Sequence, residues 1–181
     1  MLTRDYLKYV SDIPTATLQE LMEEHGQEVW NYAYFLTKNV DMSDDIAQDV
    51  FLRAFLHIAS FRGQSTVRTW LFSITRNTAI NYRKNAFFRK VTLLEWIHSA
   101  SSASSAEEQY MSRTFTDTIW QLVLKLPPKY REVLVLDAKY ELPLSEIASL
   151  LRVSSGTVKS RLHRARSKMK EFMKEVERRE G

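Results

Sequence analysis

Between Leu144 and Arg166 the chain reads LSEIASLLRVSSGTVKSRLHRAR, and this segment constrains the fold more than any other. Leu144, Ile147, Ala148 and Leu151 recur at helical spacing and make a short amphipathic helix. Arg152-Val153-Ser154 leaves room only for a tight connection. Val158, Leu162, Ala165, Met169 and Phe172 then stripe a longer helix. A short helix, a tight turn and a longer helix form a helix-turn-helix. Small Ala148 lets the second helix approach the first, Val153 plugs the turn, and Ser154 or Ser155 is placed to cap the second helix.

The outer side of that second helix carries Ser155, Gly156, Thr157, Ser160, Arg164 and Ser167, flanked by Lys159, Arg161, His163 and Lys168. A helix of this kind fits the major groove, where its first turns reach base edges. Its cations suit phosphates, and its N-terminal amides favour an anion. The bland alternative is a helical hairpin with a solvated basic face. From Arg152 to Lys170 there are seven Lys or Arg and no acid, which favours DNA.

The rest of the chain is read as helical too. Only four Gly and four Pro occur in 181 residues, which suits long helices with few turns rather than a sandwich or barrel. The segment His98 to Ala106, HSASSASSA, has no hydrophobic period and reads as a flexible linker. An all-α fold of two small domains follows, over residues 1–95 and 113–181, joined by a linker at 96–112. In the first domain Leu18, Leu21, Met22, Val29, Ala33 and Leu36 form one stripe. Asn39 to Met42 interrupts it, and Ser43 is read as the cap of the next helix, striped by Ile46, Ala47, Val50, Ala54 and Ile58. A third helix runs from about Val67 to Lys84, with Leu71, Ile74, Thr78 and Tyr82 inside. In the second domain Phe115 to Leu126 and Lys129 to Lys139 read as helices separated by Pro127 and Pro128.

Two further constellations carry chemistry. Phe61 to Lys84 reads FRGQSTVRTWLFSITRNTAINYRK and falls within Val50 to Leu94, which holds eight Lys or Arg and no acid. Arg76, Asn77, Ile80, Asn81, Arg83 and Lys84 share a broad face, and Arg62, Arg68 and Trp70 sit in or just after the loop containing Gly63, Gln64, Ser65 and Thr66. Cations beside amides and aromatics suit unpaired bases, which stack or enter pockets while Arg holds the backbone. Phe72 reads as core, whereas Phe61 and Trp70 stay open between core and base contact. Before this lies an acidic face, with Asp45, Gln48, Asp49 and Leu52 on one side of a helix and Asp44 and Arg53 beside it. Such a face repels DNA and either meets a basic protein surface or is simply solvated.

Other classes are disfavoured. The chain has no Cys, which excludes disulfides and thiolate metal sites. It has no apolar run of membrane-spanning length, and its first residues do not read as a signal peptide, so a cytoplasmic protein is expected. There is no Walker loop or HExxH, and His25, His57, His98 and His163 are scattered. No catalytic residue, metal, cofactor or small-molecule substrate is expected. A stand-alone helix-turn-helix regulator is the main alternative, and the loop-helix at Trp70 and the acids at Asp45 and Asp49 argue against it.

Taken in order, SDDIAQDVFLRAF, FRGQSTVRTWLFSITRNTAINYRK and LPPKYREVLVLDAKYELPLSEIASLLRVSSGTVKSRLHRAR resemble successive signatures of extracytoplasmic-function (ECF) sigma factors, over roughly Leu18 to Met169. The resemblance implies that residues 1–95 are region 2 and 113–181 region 4. Asp44, Asp45, Gln48, Asp49, Leu52 and Arg53 would then dock on the clamp helices of core RNA polymerase. Phe61, Arg62, Gly63, Gln64, Ser65, Thr66, Arg68, Trp70, Arg76, Asn77, Asn81, Arg83 and Lys84 would melt and read the minus-ten element. The helix of Ser155 to Lys170 would read the minus-thirty-five duplex, and the linker would thread through polymerase channels. An anti-sigma factor, often membrane-bound in this family, is an implied partner. The chain departs from the common pattern at Val67, where an aromatic is frequent, at Asn81, where Asp is, at Arg152-Val153 in the turn, and in the apolar stretch Leu94-Glu95-Trp96-Ile97.

Overall fold

In a computed structural model, residues 15–58, 61, 63–94 and 118–180 are described, and they form seven helices and no strand. The serine-rich linker, Glu95 to Ile97, Phe115 to Asp117 and Arg62 lie outside the described residues. Helices α1 (Thr15–Thr37), α2 (Val40–His57) and α3 (Val67–Leu94) pack on one another as the N-terminal unit. Helices α4 (Thr118–Lys125), α5 (Pro128–Ala138), α6 (Leu144–Leu151) and α7 (Ser155–Glu180) form the C-terminal unit. No helix of the described residues is long and apolar enough to cross a membrane.

The first connection differs from the sequence reading. Helix α1 ends at Lys38, whose φ of 58° is left-handed, and α2 is capped by Asn39, not Ser43. The Asn39 side chain accepts the Met42 amide at 2.7 Å, while Ser43 is fully buried and donates its hydroxyl to the Asn39 carbonyl at 2.6 Å. Both residue types cap well. The earlier one wins because its carboxamide reaches a free amide of the first turn.

The N-terminal core gathers Leu21, Val29, Ala33, Ile46, Val50, Phe51, Ala54, Leu71 and Ala79, with Leu18, Leu36, Ala47, Ile58, Ile74 and Tyr82 packed partly buried against it. The stripes read from the sequence supply most of this core. Met22 is the exception, lying 49% exposed. Helix α1 is apolar on a second face as well. Tyr32, Tyr34 and Phe35 belong to a cluster that also holds Phe72 of α3 and the C-terminal core, including Leu126, Val133, Leu136, Ile147, Leu151, Val158, Leu162, Ala165 and Met169. A helix apolar around most of its circumference is buried on several sides, and α1 is covered on its second face by α5. Helix α6 packs against α3 in the same way. The two units therefore share one apolar seam.

Candidate nucleic-acid interface

The helix-turn-helix is built from α6 and α7. Arg152 closes α6 in the left-handed conformation, at φ 56° and ψ 48°, and its amide returns to the carbonyls of Ala148 and Ser149. Ser154 is the cap of α7, accepting the Thr157 amide at 3.1 Å and pairing with the Thr157 hydroxyl at 2.9 Å. Ile147, Leu151, Val158 and Leu162 are buried between the helices, and Val153 packs against them. A left-handed residue with a Cβ is strained, and Gly relieves that strain. The strain relieved, about 1–2 kcal/mol, exceeds the entropic cost of Gly, about 0.5–1 kcal/mol, so Arg152→Gly is expected to stabilise the protein modestly, seen as a higher midpoint in thermal unfolding.

Every outer residue singled out on α7 reaches the surface. Ser155, Gly156, Lys159, Ser160, His163, Arg164 and Ser167 are exposed, and Thr157, Arg161 and Lys168 are half-buried. The inner stripe of the same helix is 8% exposed or less at Val158, Leu162, Ala165 and Met169. Arg164, and then Lys129, beside the Tyr130 phenol hold its pKa below the ordinary value. Arg166 is anchored to Asp137 at 2.8 Å, so it is committed within the domain.

On the N-terminal unit, Asp44, Asp45, Gln48, Leu52 and Arg53 are exposed and Asp49 is half-buried. Asp44 accepts the Trp30 indole N–H at 2.6 Å, and Asp49 lies 3.3 Å from Arg53. Sequence spacing separated this acidic face from the basic one. The structure brings them edge to edge in an open groove of about 610 Å³ lined by Asp45, Asp49, Arg53, Asn81, Tyr82 and Lys84. Burial, then Asp49 and Asp45, raise the pKa of the Tyr82 phenol in that groove.

The remaining minus-ten candidates divide. Gly63, Gln64, Thr66, Asn77, Asn81, Arg83 and Lys84 are exposed, while Phe61, Ser65, Arg68, Trp70 and Arg76 are half-buried. Phe61 packs against Trp70 with the rings tilted and their centres 5.1 Å apart, and Phe72 is fully buried. Gln64, Ser65, Trp70 and Asn77 line a cleft of about 390 Å³ whose far wall is Glu146, Ser149 and Arg152 of the helix-turn-helix. Arg68 donates to the Tyr140 carbonyl, and Arg76 donates to Glu132 at 2.8 Å. The residues that face them from the C-terminal unit, Glu132, Tyr140 and Glu146, carry no local signal in the sequence. Among the described residues no group of three or more His, Cys, Asp or Glu is arranged to hold a metal ion.

The described residues are all helical or connecting, and the outward cationic helix-turn-helix has the shape and charge of a DNA-binding module. The comparisons specify its family. Residues 21–86 match the family model of sigma-70 region 2, and residues 116–169 match that of sigma-70 region 4. The chain is similar to the RNA polymerase sigma factor YlaC of Bacillus subtilis, 36% identical over 159 residues that cover 87% of this chain and 92% of YlaC. It is also similar to the ECF sigma factor SigL of Mycobacterium tuberculosis, 30% identical over 83% of this chain and 85% of SigL. Among solved structures, the sigma factor RpoE of Bartonella quintana, in complex with the anti-sigma factor NepR, superposes with a TM-score of 0.64 at 26% identity, over 86% of this chain and 95% of RpoE. The chain belongs to the ECF sigma factors of bacterial RNA polymerase. A protein of this family confers promoter-specific initiation on core polymerase.

Proposed function

We propose that this sigma factor divides promoter recognition between its two units along the surfaces described above. Region 4, over residues 113–181, reads the minus-thirty-five duplex through the outer face of α7, from Ser155 to Lys168. Region 2, over residues 1–95, docks on core polymerase through Asp44, Asp45, Gln48, Asp49, Leu52 and Arg53. Its loop at Phe61 to Thr66 and the face of Arg68, Trp70, Arg76, Asn77, Asn81, Arg83 and Lys84 open and hold the minus-ten element. Residues 96–112 span the two as a linker. The chain acts in the cytoplasm and by binding alone, with catalysis left to the polymerase. An anti-sigma factor holds it inactive, a reading supported by the complex in which its relative RpoE was solved.

The observation that carries this reading is the segregation on α7, where the DNA-facing residues reach solvent and the alternate stripe is buried. The energetics agree. Unpairing costs about 1.4 kcal/mol per stacked step, and each captured base returns about 1–3 kcal/mol, so a few captured bases offset several steps. Either surface alone binds weakly, and polymerase raises their effective concentration by fixing their separation.

The test uses the reconstituted holoenzyme and forked promoter DNA, with the minus-ten element either single-stranded or fully paired. Tighter binding of the forked probe is expected, and equal affinity for the two would contradict the region 2 assignment. Arg164→Ala is expected to weaken binding of the minus-thirty-five duplex by about 1–3 kcal/mol. Fluorescence anisotropy across a salt titration reads this, and an unchanged affinity at every salt concentration excludes the role.

A further inference from the structure

We propose that the chain carries a site for a phosphate-class oxyanion, free or as the terminal group of a nucleotide, in the cavity where Arg76 and Arg83 of α3 converge with Arg131 of α5. The site goes beyond the promoter reading above and does not depend on it, although Arg76 and Arg83 take part in both.

The cavity has a volume of about 140 Å³. A water needs about 10–15 Å³, so a tetrahedral oxyanion has room. Phe35, Leu36 and Ile80 give it apolar walls, and its charged groups are the three guanidiniums and one carboxylate, that of Glu132. Apolar walls lower the local dielectric and strengthen the field of each charge. The carboxylate is already engaged. Glu132 accepts the Arg76 guanidinium at 2.8 Å and the Tyr32 hydroxyl at 3.3 Å. Arg131 is 4% exposed and donates to the Leu124 carbonyl at 3.0 Å. That bond uses one of the five N–H donors of a guanidinium.

The positive charge around Arg131 is therefore in excess. Arg83 is exposed, and for Arg131 its repulsion outweighs the attraction of Glu132. Lys38, in the left-handed turn after α1, adds a further cation close enough to act on Arg131. Burial, and then Arg83, push the Arg131 pKa down to about 10, and burial, and then Arg131, lower that of Lys38. Four cations thus face one carboxylate. A buried cation without a counter-charge is costly, and a bound anion removes that cost. Guanidiniums meet phosphate oxygens in bidentate, charge-assisted geometry. A free phosphate or a terminal monoester presents three or four unesterified oxygens, whereas a backbone phosphodiester presents two. The convergence of three guanidinium forks suits the former.

The test uses the full-length chain in chloride buffer at constant ionic strength. Inorganic phosphate and adenosine diphosphate are titrated separately, and thermal unfolding is followed by tryptophan fluorescence. A dissociation constant of about 1 mM raises the midpoint by about 3–6 °C at about 10 mM ligand. Phosphate also stabilises proteins by exclusion from their surface, so the readout is the difference between variants. Arg83→Gln is expected to melt no lower than wild type in chloride, since a repulsion is gone, and to lose most of the ligand-induced shift. Lys84→Gln removes the same charge one residue along, in the groove beside α2 rather than in this cavity, and is expected to keep the shift. Phosphorus NMR line broadening of inorganic phosphate reads binding directly and is expected to show an affinity at least tenfold weaker in Arg83→Gln. A response to phosphate assigns the site to the free anion, and a response to the nucleotide alone assigns it to the terminal group of a larger ligand. No response to either, or equal shifts in the two variants, overturns the site and leaves the promoter reading untouched.

Discussion

Asp45→Lys combined with Asp49→Lys is expected to weaken assembly with core RNA polymerase at least a hundredfold and to remove sigma-dependent transcription. Both carboxylates line the groove between α2 and α3, where Arg53, Asn81 and Lys84 complete the rim. Under the proposed docking they meet a basic surface of the polymerase. Reversing two charges there replaces attraction with like-charge juxtaposition, which costs several kcal/mol, and about 1.4 kcal/mol suffices for each tenfold loss. The fold tolerates the change. Asp45 is exposed, and Asp49 loses only a 3.3 Å pair with Arg53, whose side chain is 52% exposed. Surface pairs of this kind contribute about 0–1 kcal/mol. Anisotropy of the labelled chain titrated with core polymerase measures the loss, and retained affinity with an unchanged melting curve would remove α2 from the docking surface.

Leu162→Ala is expected to abolish minus-thirty-five binding by unfolding region 4. Leu162 is 4% exposed and stands in the cluster with Ile147, Leu151 and Val158 that locks α7 to α6. Truncating a buried leucine costs about 2–5 kcal/mol, and a helical unit of this size has only about 3–5 kcal/mol to lose. Urea unfolding followed by circular dichroism reads the shift in midpoint. Leu162→Met, which keeps the volume, is expected to cost less than about 1.5 kcal/mol and to leave binding intact. Equal behaviour of the two variants would mean that the stripe on α7 does not pack as described.

The helix-turn-helix was legible because each of its parts is a local signal. The spacing of Leu144, Ile147, Ala148 and Leu151, the short turn and the stripe from Val158 to Met169 all point the same way, and of the two serines read as caps Ser154 holds the amide. The start of α2 was less legible, since Asn39 and Ser43 are both competent caps and only the folded geometry separates them. The sequence reading took a single stripe of α1, through Val29, Ala33 and Leu36, and left its second apolar face at Tyr32, Tyr34 and Phe35 unassigned, because no partner for it is visible nearby in the chain. That partner is Tyr140 with Glu132, about a hundred residues along the chain. Such a contact leaves no periodicity, because an acid on α5 and an arginine on α3 each look like ordinary surface charge until they meet. The site residues were read as two freely available surfaces for the same reason. Charge and spacing identify Arg68 and Arg76 as cations, and only the packing of α3 against α6 and of α1 against α5 reveals what they already hold.

The central claim is that this chain gives core RNA polymerase a promoter specificity through two separated DNA surfaces. It is tested most directly by transcribing fragmented genomic DNA of the source organism in vitro with purified core polymerase, with and without the chain, and sequencing the RNA 5′ ends. The account predicts new 5′ ends that appear only with the chain and share two upstream sequence elements at fixed spacing. An identical set of 5′ ends in both reactions would contradict it.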